Sequence, residues 1–323
     1  MQNYILRRLL AAIPTFFAVT IVIFVLIRIV PGDIVGLMQE NDATALVRPD
    51  AADELRKELG IDEPIPVQYW KWLTGFLRGD LGVSPWTNRP VFEEALSRLP
   101  TTFELATITM LVATGLGIFS GVIAATYRNS PPDYFLRVFS VMGLAAPGFW
   151  VATMLIVLLA NNFGYLPPPE YKRPWEEPWT NVQQMIWPAL VLGISLSAGI
   201  LRMTRATMLD VLRQDYIRTA YSKGLRSRTI ITQHALRNSM IPVFTIMGGQ
   251  FGFLLGGTVI MERIFGLPGL GDLMFGSINR RDYPQLQLSV VILALSYLIL
   301  NLVIDLIYGF LDPRIRERYR SAV

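Results

Sequence analysis

The chain has 323 residues and a formal net charge of +4, with 52% hydrophobic and only 17% charged residues. An ordinary soluble domain carries about 25% charged residues, so this composition argues against a soluble protein and favours one that spans a membrane. With no cysteine and a single histidine, disulfides, iron–sulfur clusters and thiolate zinc sites are excluded, and we expect neither a metal site nor a cofactor.

Long apolar segments recur along the chain. A helix needs about 20 mostly apolar residues to cross the hydrocarbon core of a bilayer. The first such segment is longer than a signal-peptide core and has no small-x-small cleavage site before Pro31, so we expect it to be retained. The predicted fold class is an all-α polytopic membrane protein with six transmembrane helices at 8–30, 101–127, 135–160, 183–203, 240–260 and 286–311.

The spans divide the chain into three parts. Residues 1–30 hold the N-terminus and the first transmembrane helix, 31–100 form an external segment, and 101–323 form a five-helix core. The external segment is too long for a plain loop. It contains two short helix-like stretches, Asp50–Leu59 and Gln68–Leu77, which end near Gly60 and Gly79, where a C-cap glycine is expected.

Basic residues set the predicted orientation. Lys and Arg concentrate in the cytoplasmic loops of membrane proteins, so both termini, Arg7–Arg8 and the Arg314–Arg320 tail, are expected in the cytoplasm. The segment 204–239 is placed there too, since eight Lys or Arg between 202 and 237 face only two Asp. Because the basic residues lie beside membrane spans, we expect the lipid bilayer and not nucleic acid as their partner.

The polar segment between the fourth and fifth spans is the strongest candidate site. Residues 215–226 are compatible with a short helix, and Ala220 and Gly224 are four residues apart, which places them on one helical face. Two small residues there would let another protein surface approach closely, and Gly224 can end the helix. The alternative is an ordinary basic loop that only holds orientation.

A resemblance to a known family favours the first interpretation. The run Ala220-Tyr-Ser-Lys-Gly224 resembles the cytoplasmic coupling motif of ABC importer permeases, and its surroundings resemble the dipeptide/oligopeptide permease family. Arg218 stands where the wider superfamily has a glutamate, a departure common in the peptide subfamily. The matching residues are Tyr216–Ala220, Lys223–Leu225, His234–Asn238 and Pro242.

The resemblance extends over nearly the whole chain. Each further motif is weak alone, but their order and spacing together are specific. They are Val30–Asp33, Leu59–Pro64, Gly79–Ser84, Ala146–Trp150, Glu262–Gly271, Arg281–Pro284 and Asp312–Arg314.

The resemblance implies the permease subunit of an ATP-driven importer for dipeptides, oligopeptides or similar small solutes in the bacterial inner membrane. Its partners would be a second, related permease, two cytoplasmic ATP-binding subunits and an external solute-binding protein. No Gly-x-x-x-x-Gly-Lys-Ser/Thr motif occurs, so the chain has no phosphate-binding loop of this kind. We therefore expect a transport subunit and not an enzyme, with ATP hydrolysis by the partner chains. The residues expected to couple to the ATPase subunits are Tyr216, Arg218, Ala220, Lys223, Gly224, Leu225 and Arg226.

Candidates for the pathway or an external gate follow the coupling segment. The fifth span carries Gly248, Gly249 and Gly256, which could line a pathway or simply allow close helix packing. Phe265 and Pro268 lie in the external turn after this span. For the ionisable residues Arg28 and Glu104 near external span ends, and Asp305 near the cytoplasmic end of the sixth span, we expect structural pairing.

The main alternative is a secondary transporter driven by an ion gradient. Such a protein would typically show broken helices and ionisable residues at the membrane midplane. The predicted spans have few midplane charges and one long basic segment instead. A membrane enzyme has little support, since the sequence offers no zinc-binding histidine pair and no cysteine nucleophile.

Overall fold

The computed structural model describes residues 2–29, 56–57, 60 and 62–311. Within these ranges the architecture is helical, and the extended pairing consists of one bridge between Val83 and Pro90. A helical turn at Ser227–Thr229 and a π-helix at Ile230–Leu236 precede α8. The α-helices are α1 Gln2–Ile29, α2 Ile65–Arg78, α3 Val91–Thr126, α4 Pro131–Ala145, α5 Gly148–Phe163, α6 Pro178–Leu212, α7 Asp215–Ser222, α8 Arg237–Gly257, α9 Val259–Phe265, α10 Leu270–Arg280 and α11 Tyr283–Leu311.

Among the described residues, five segments are long and apolar enough to cross a membrane, which confirms the prediction of an all-α polytopic membrane protein. The predicted third span, 135–160, is wrong as one continuous helix, because α4 and α5 meet at an angle of 97°. Pro147 disfavours helical conformation at the residue before it, and Ala146 is extended, with φ −78° and ψ 123°. The prediction of six spans holds if this bent pair counts as one. The five segments are Leu10–Ile29, Val91–Thr126, Pro178–Leu212, Ser227–Gly257 and Tyr283–Ile304.

The second predicted helix after the first span is confirmed, and α2 exceeds it slightly at both ends. Gly79 ends the helix at φ 85°, and the Asp80 N–H donates to the Gly75 carbonyl at 2.9 Å, as in a Schellman motif. The predicted helix Asp50–Leu59 lies outside the described residues except for 56–57, and so does the basic tail after 311.

The described chain separates into two compact units. Unit 1 comprises residues up to Pro100 together with Pro268–Leu302. Its α1 and α2 pack through aromatic rings, with the Phe24 centroid 5.3 Å from Tyr69 and 5.9 Å from Trp72. The buried Ser84 hydroxyl donates to Asp282 Oδ2 at 2.5 Å, which ties the loop before α3 to the start of α11. Burial raises the pKa of Asp282 from its ordinary value.

Unit 2 comprises Thr101–Leu267 and the chain from Val303 onwards, and α6 lies at its centre. Glycines let α3 and α6 approach closely, as small residues do in membrane proteins. A Cβ added at Gly121 would lie 2.6 Å from the Thr204 Cβ, and one at Gly193 would lie 2.6 Å from Val112 Cγ1. Near the start of α6, the residues Leu105, Ala152, Met185, Ala189 and Met261 form a buried apolar cluster.

Candidate coupling site and pathway residues

The helix α7 is amphipathic, and its apolar side packs on its own chain. Ile217 and Ala220, three residues apart, are 1% and 7% exposed. They form a buried cluster with Ile230 of the π-helix, and Leu212 at the end of α6 packs against it. The segment between α6 and α8 is therefore a folded part of unit 2.

Gly224 ends α7 in a conformation that favours glycine. Its φ is +75°, in the left-handed region, where a Cβ carries a steric cost. The Gly224 N–H donates to the Tyr221 carbonyl at 2.9 Å and the Leu225 N–H donates to the Ala220 carbonyl at 3.3 Å, which together make a Schellman motif. The predicted helix end at Gly224 is thus present.

The expectation that Ala220 and Gly224 share one exposed helical face is wrong. Ala220 points into the buried cluster, and Gly224 lies beyond the last helical residue, Ser222. The small side chain of Ala220 lets α7 lie close to the π-helix of its own chain. At Gly224, by contrast, an added Cβ would meet nothing within 4 Å.

The opposite side of α7 and its C-terminal turn are exposed. We call Tyr216, Arg218, Tyr221, Lys223, Leu225 and Arg226 the α7 surface. Arg218 Nη1 lies 3.7 Å from Asp215 Oδ1, but these side chains are 80% and 96% exposed, so the ion pair contributes little. Asn238 Nδ2 donates to the Tyr216 hydroxyl at 2.9 Å. The surface combines three cationic side chains with aromatic and apolar ones.

The helix α7 is connected to the long helices through the π-helix. The π-helix that supports α7 runs directly into α8. A second buried cluster, of Ala125, Met208 and Ala235, joins the ends of α3 and α6 to the same π-helix. Packed side chains therefore connect α7 to α3, α6 and α8.

A buried ion pair fixes the bent pair of helices to α6. Asp133 at the start of α4 has no exposed surface, and Arg205 of α6 reaches it with Nε at 2.7 Å and Nη2 at 2.8 Å. The Asn129 N–H donates to the same carboxylate at 2.9 Å. This bidentate contact holds α4 to α6 seven residues before α6 ends.

The pathway candidates on α8 lie on an open face. Gly249 and Gly256 are exposed, Gly248 is half-buried, and a Cβ added at Gly249 or Gly256 would meet nothing within 4 Å. Thr245 and Phe253, one turn on either side of Gly249, are exposed as well. Gly249 and Gly256 therefore make no close packing with the described residues, unlike Gly121 and Gly193.

The two gate candidates differ in their surroundings. Phe265, at the end of α9, packs against the buried cluster of unit 2. The helix is anchored by Glu262, which has no exposed surface and accepts bonds from the hydroxyls of Thr102 at 2.7 Å and Thr258 at 3.1 Å. Pro268 is half-buried in the turn before α10, within unit 1.

Several polar contacts were not identified from the sequence. Glu104 accepts a bond from the Tyr171 hydroxyl at 2.7 Å, and burial, with this bond, raises the pKa of Tyr171 to about 12. Arg28 Nε donates to Gln68 Oε1 at 2.6 Å. Such partners lie 40 to 72 positions apart in the chain, so no local pattern indicates them. Among the described residues, no group of three His, Asp or Glu is placed to hold a metal ion.

Two family descriptions match the chain. Residues 117–317 match the family described as binding-protein-dependent transport system inner membrane component, and residues 1–106 match the family that describes the N-terminal part of such membrane components.

Relatives match at full length. The glutathione transport system permease protein GsiC of Pectobacterium atrosepticum is 39% identical over 318 residues, which are 98% of this chain and 100% of that protein. The protein of the same name from Escherichia coli (strain K12) is 38% identical over the same shares.

One solved structure has a similar fold. A crystal structure of an amino acid ABC transporter with histidines matches with a TM-score of 0.50 and covers 69% of this chain and 94% of that chain. The sequence identity is 15%, so this likeness concerns the fold alone.

Proposed function

The chain belongs to the family of inner membrane components of binding-protein-dependent transport systems, and from this we propose that it forms part of the pathway for a small peptide. As a member it is the membrane-spanning permease subunit of an ATP-driven ABC importer, and not an enzyme. The broken α4–α5 pair is a feature also expected of secondary transporters, but family membership decides against that alternative. An importer of this class works with a second permease, ATP-binding subunits and a solute-binding protein.

The α7 surface is the proposed contact with the ATPase subunits. This proposed contact rests on one observation: the eight-residue helix α7 has an exposed basic face and a buried apolar face. The exposed face is available to a partner, while Ile217 and Ala220 connect it to the π-helix and α8. Closure of two ATP-binding subunits would displace α7, and the packed helices would relay this displacement.

The proposed orientation places both termini and α7 in the cytoplasm. The exposed cations of the α7 surface support it, since Lys and Arg are enriched on the cytoplasmic side. In the same orientation, the loop with the exposed Trp175 and the exposed Trp179 at the start of α6 lie at the external interface, where tryptophan is favoured.

The proposed cargo is a small peptide, with glutathione or a dipeptide as the first candidates. The support is the 39% identity over 98% of the chain to a protein whose name refers to glutathione transport. We further propose that the second permease is a related chain and that two ATP-binding subunits complete the complex.

The test begins with purification of the tagged chain in mild detergent and identification of the co-purifying proteins. The assembled complex, reconstituted in liposomes, should take up labelled glutathione or dialanine when ATP and the binding protein are supplied. An ion gradient alone should drive no uptake. A chain that purifies alone and moves solute on an ion gradient without ATP would contradict the proposal.

The open face of α8 gives a separate prediction. We expect Gly249→Leu to leave the thermal stability of the isolated chain unchanged, because a Cβ added there has no described atom within 4 Å. If this face lines the pathway or contacts the second permease, ATP-driven uptake should fall about fivefold or more. The measurement pairs an unfolding curve of the isolated chain with uptake by the reconstituted complex.

Gly121→Ala is the matched control. Its Cβ would lie 2.6 Å from the Thr204 Cβ and 2.9 Å from the Leu201 carbonyl oxygen, so we expect it to destabilise the isolated chain by about 1–3 kcal/mol. Normal uptake by Gly249→Leu would show that the open face of α8 neither lines the pathway nor contacts the second permease.

A further inference from the structure

Unit 1 contains a cavity of about 290 Å³ that the coupling mechanism does not use. It lies between the end of α1, the helix α2, the loop after α2 and the start of α11. Its charged lining consists of the basic Arg28, Lys71 and Arg281 and the acidic Glu63 and Asp80. Trp72 and Tyr283 add aromatic walls. A mostly apolar cavity with a few convergent polar groups is the usual form of a ligand site, and this volume suits a small one.

Three polar atoms in the lining lack hydrogen-bond partners among the described residues. They are the donors Arg28 Nη1 and Gln287 Nε2 and the acceptor Glu63 Oε2, and each atom is buried from solvent. Gln287 is only 2% exposed. A buried polar group without a partner costs about 1–3 kcal/mol, so three of them around one cavity indicate a missing partner.

The other bonds of these side chains hold the unpaired atoms in place. Arg28 Nε donates to Gln68 Oε1 at 2.6 Å, and its guanidinium carbon lies 3.5 Å from the Phe24 ring centroid. Gln68 Nε2 donates to the Glu63 carbonyl at 2.6 Å, while Lys71 pairs with Glu63 Oε1 at 2.6 Å. Arg28 and Glu63 are therefore connected through Gln68, and each keeps one polar atom for another group.

The charges of the unpaired atoms limit the chemistry of the ligand. A simple anion would satisfy Arg28 and Gln287 but would leave the Glu63 oxygen unpaired. A simple cation would satisfy Glu63 but would leave Arg28 and Gln287 unpaired. Among the described lining residues it would also face three basic side chains against two acidic ones. A ligand that carries both an anionic group and an ammonium group has the charges to pair with all three atoms.

We propose that this cavity binds a small zwitterion, with its carboxylate or phosphate on Arg28 Nη1 and Gln287 Nε2 and its ammonium on Glu63 Oε2. Two sources share this chemistry: a peptide with free termini and the headgroup of a phosphatidylethanolamine lipid. If the source is the peptide, the inference rests on the proposed function and assigns the permease its own contact with the cargo.

The first experiment titrates dialanine into the purified full-length chain by calorimetry, in detergent free of phosphatidylethanolamine. Blocking the carboxylate as an amide, or the amine as an acetyl group, should each weaken binding about 10- to 100-fold, since each removes a hydrogen bond to a charged group. Because the protein is unchanged, this comparison does not depend on the folding of any variant.

Variants then assign each end of the ligand. In Arg28→Gln, dialanine amide should bind as well as free dialanine, because the contact to the carboxylate is already lost. In Glu63→Gln, acetylated dialanine should bind as well as free dialanine, because the contact to the ammonium group is already lost. Arg78→Gln is the control: Arg78 is exposed on the same helix as Lys71 and does not line the cavity, so it should bind like the wild type.

The second experiment tests the lipid source by native mass spectrometry of the chain from mixed micelles. Retention of phosphatidylethanolamine over phosphatidylglycerol, lost in Arg28→Gln and Glu63→Gln but kept in Arg78→Gln, would identify the headgroup as the ligand. Either charge-selective result supports the site. If neither ligand distinguishes these variants from the control, the cavity holds only water and the inference is overturned.

These measurements are independent of the transport cycle, because they need neither ATP nor partner subunits. Zwitterion binding without ATP-driven uptake by the complex would contradict the proposed function and leave the site intact. ATP-driven uptake with no charge-selective binding would support the proposed function and overturn the zwitterion site.

Discussion

Replacing Gly224 by arginine is expected to lower ATP-driven uptake about tenfold or more while the chain still inserts into the membrane. Gly224 lies in the turn of the α7 surface at φ +75°, and nothing lies within 4 Å of an added Cβ. The arginine side chain would therefore extend into the space that a docked ATPase subunit is proposed to occupy. The measurement is uptake and ATP hydrolysis by the reconstituted complex, with the amount of inserted chain determined in parallel.

A matched control separates docking from backbone strain. Gly164 follows α5 at φ +59°, also with nothing within 4 Å of an added Cβ, so Gly164→Arg imposes a similar cost of about 1–2 kcal/mol. The proposed orientation places Gly164 on the opposite side of the membrane from α7. We expect Gly164→Arg to transport nearly normally. Equal losses in the two variants would indicate strain, and normal uptake by Gly224→Arg would show that this turn does not dock the ATPase.

The second large effect is expected at the buried ion pair between α4 and α6. Replacing Arg205 by methionine removes both bonds, at 2.7 and 2.8 Å, from a carboxylate with no exposed surface. Leaving one charge of a buried pair without its partner costs about 3–5 kcal/mol. Arg205→Met should therefore lower the midpoint of thermal unfolding of the purified chain markedly.

Two further variants identify the cause. Arg137 reaches the same carboxylate at 3.5 Å but is 41% exposed, so Arg137→Met should cost only about 0–1 kcal/mol. Combining Arg205→Met with Asp133→Leu removes both charges and should recover most of the lost stability, since an apolar pair often replaces a buried ion pair without net cost. If the double variant is as unstable as Arg205→Met alone, the loss comes from packing and not from the unpaired carboxylate.

Local features were predictable where one residue or a short run fixes the outcome. The helix α2 was predicted within three residues at its start and one at its end, because its apolar run ends at Gly79. The helix end at Gly224 followed from the same principle, since a left-handed C-cap selects glycine. The bend between α4 and α5 differs from the prediction of a single span, because apolar length alone does not include the constraint that Pro147 places on Ala146.

The sequence by itself determined the membrane class, most of the spans and the family, because apolar length, helix-ending glycines and ordered motifs are properties of the chain read locally. Only the tertiary structure decided that Ala220 packs inward while Gly249 and Gly256 stay open, and that Arg205 neutralises Asp133. It also decided that one cavity is lined by three polar atoms that have no partner among the described residues. These facts depend on which helix faces meet. The meeting faces belong to residues up to about 260 positions apart, such as Arg28 and Gln287, so no local pattern in the chain encodes them.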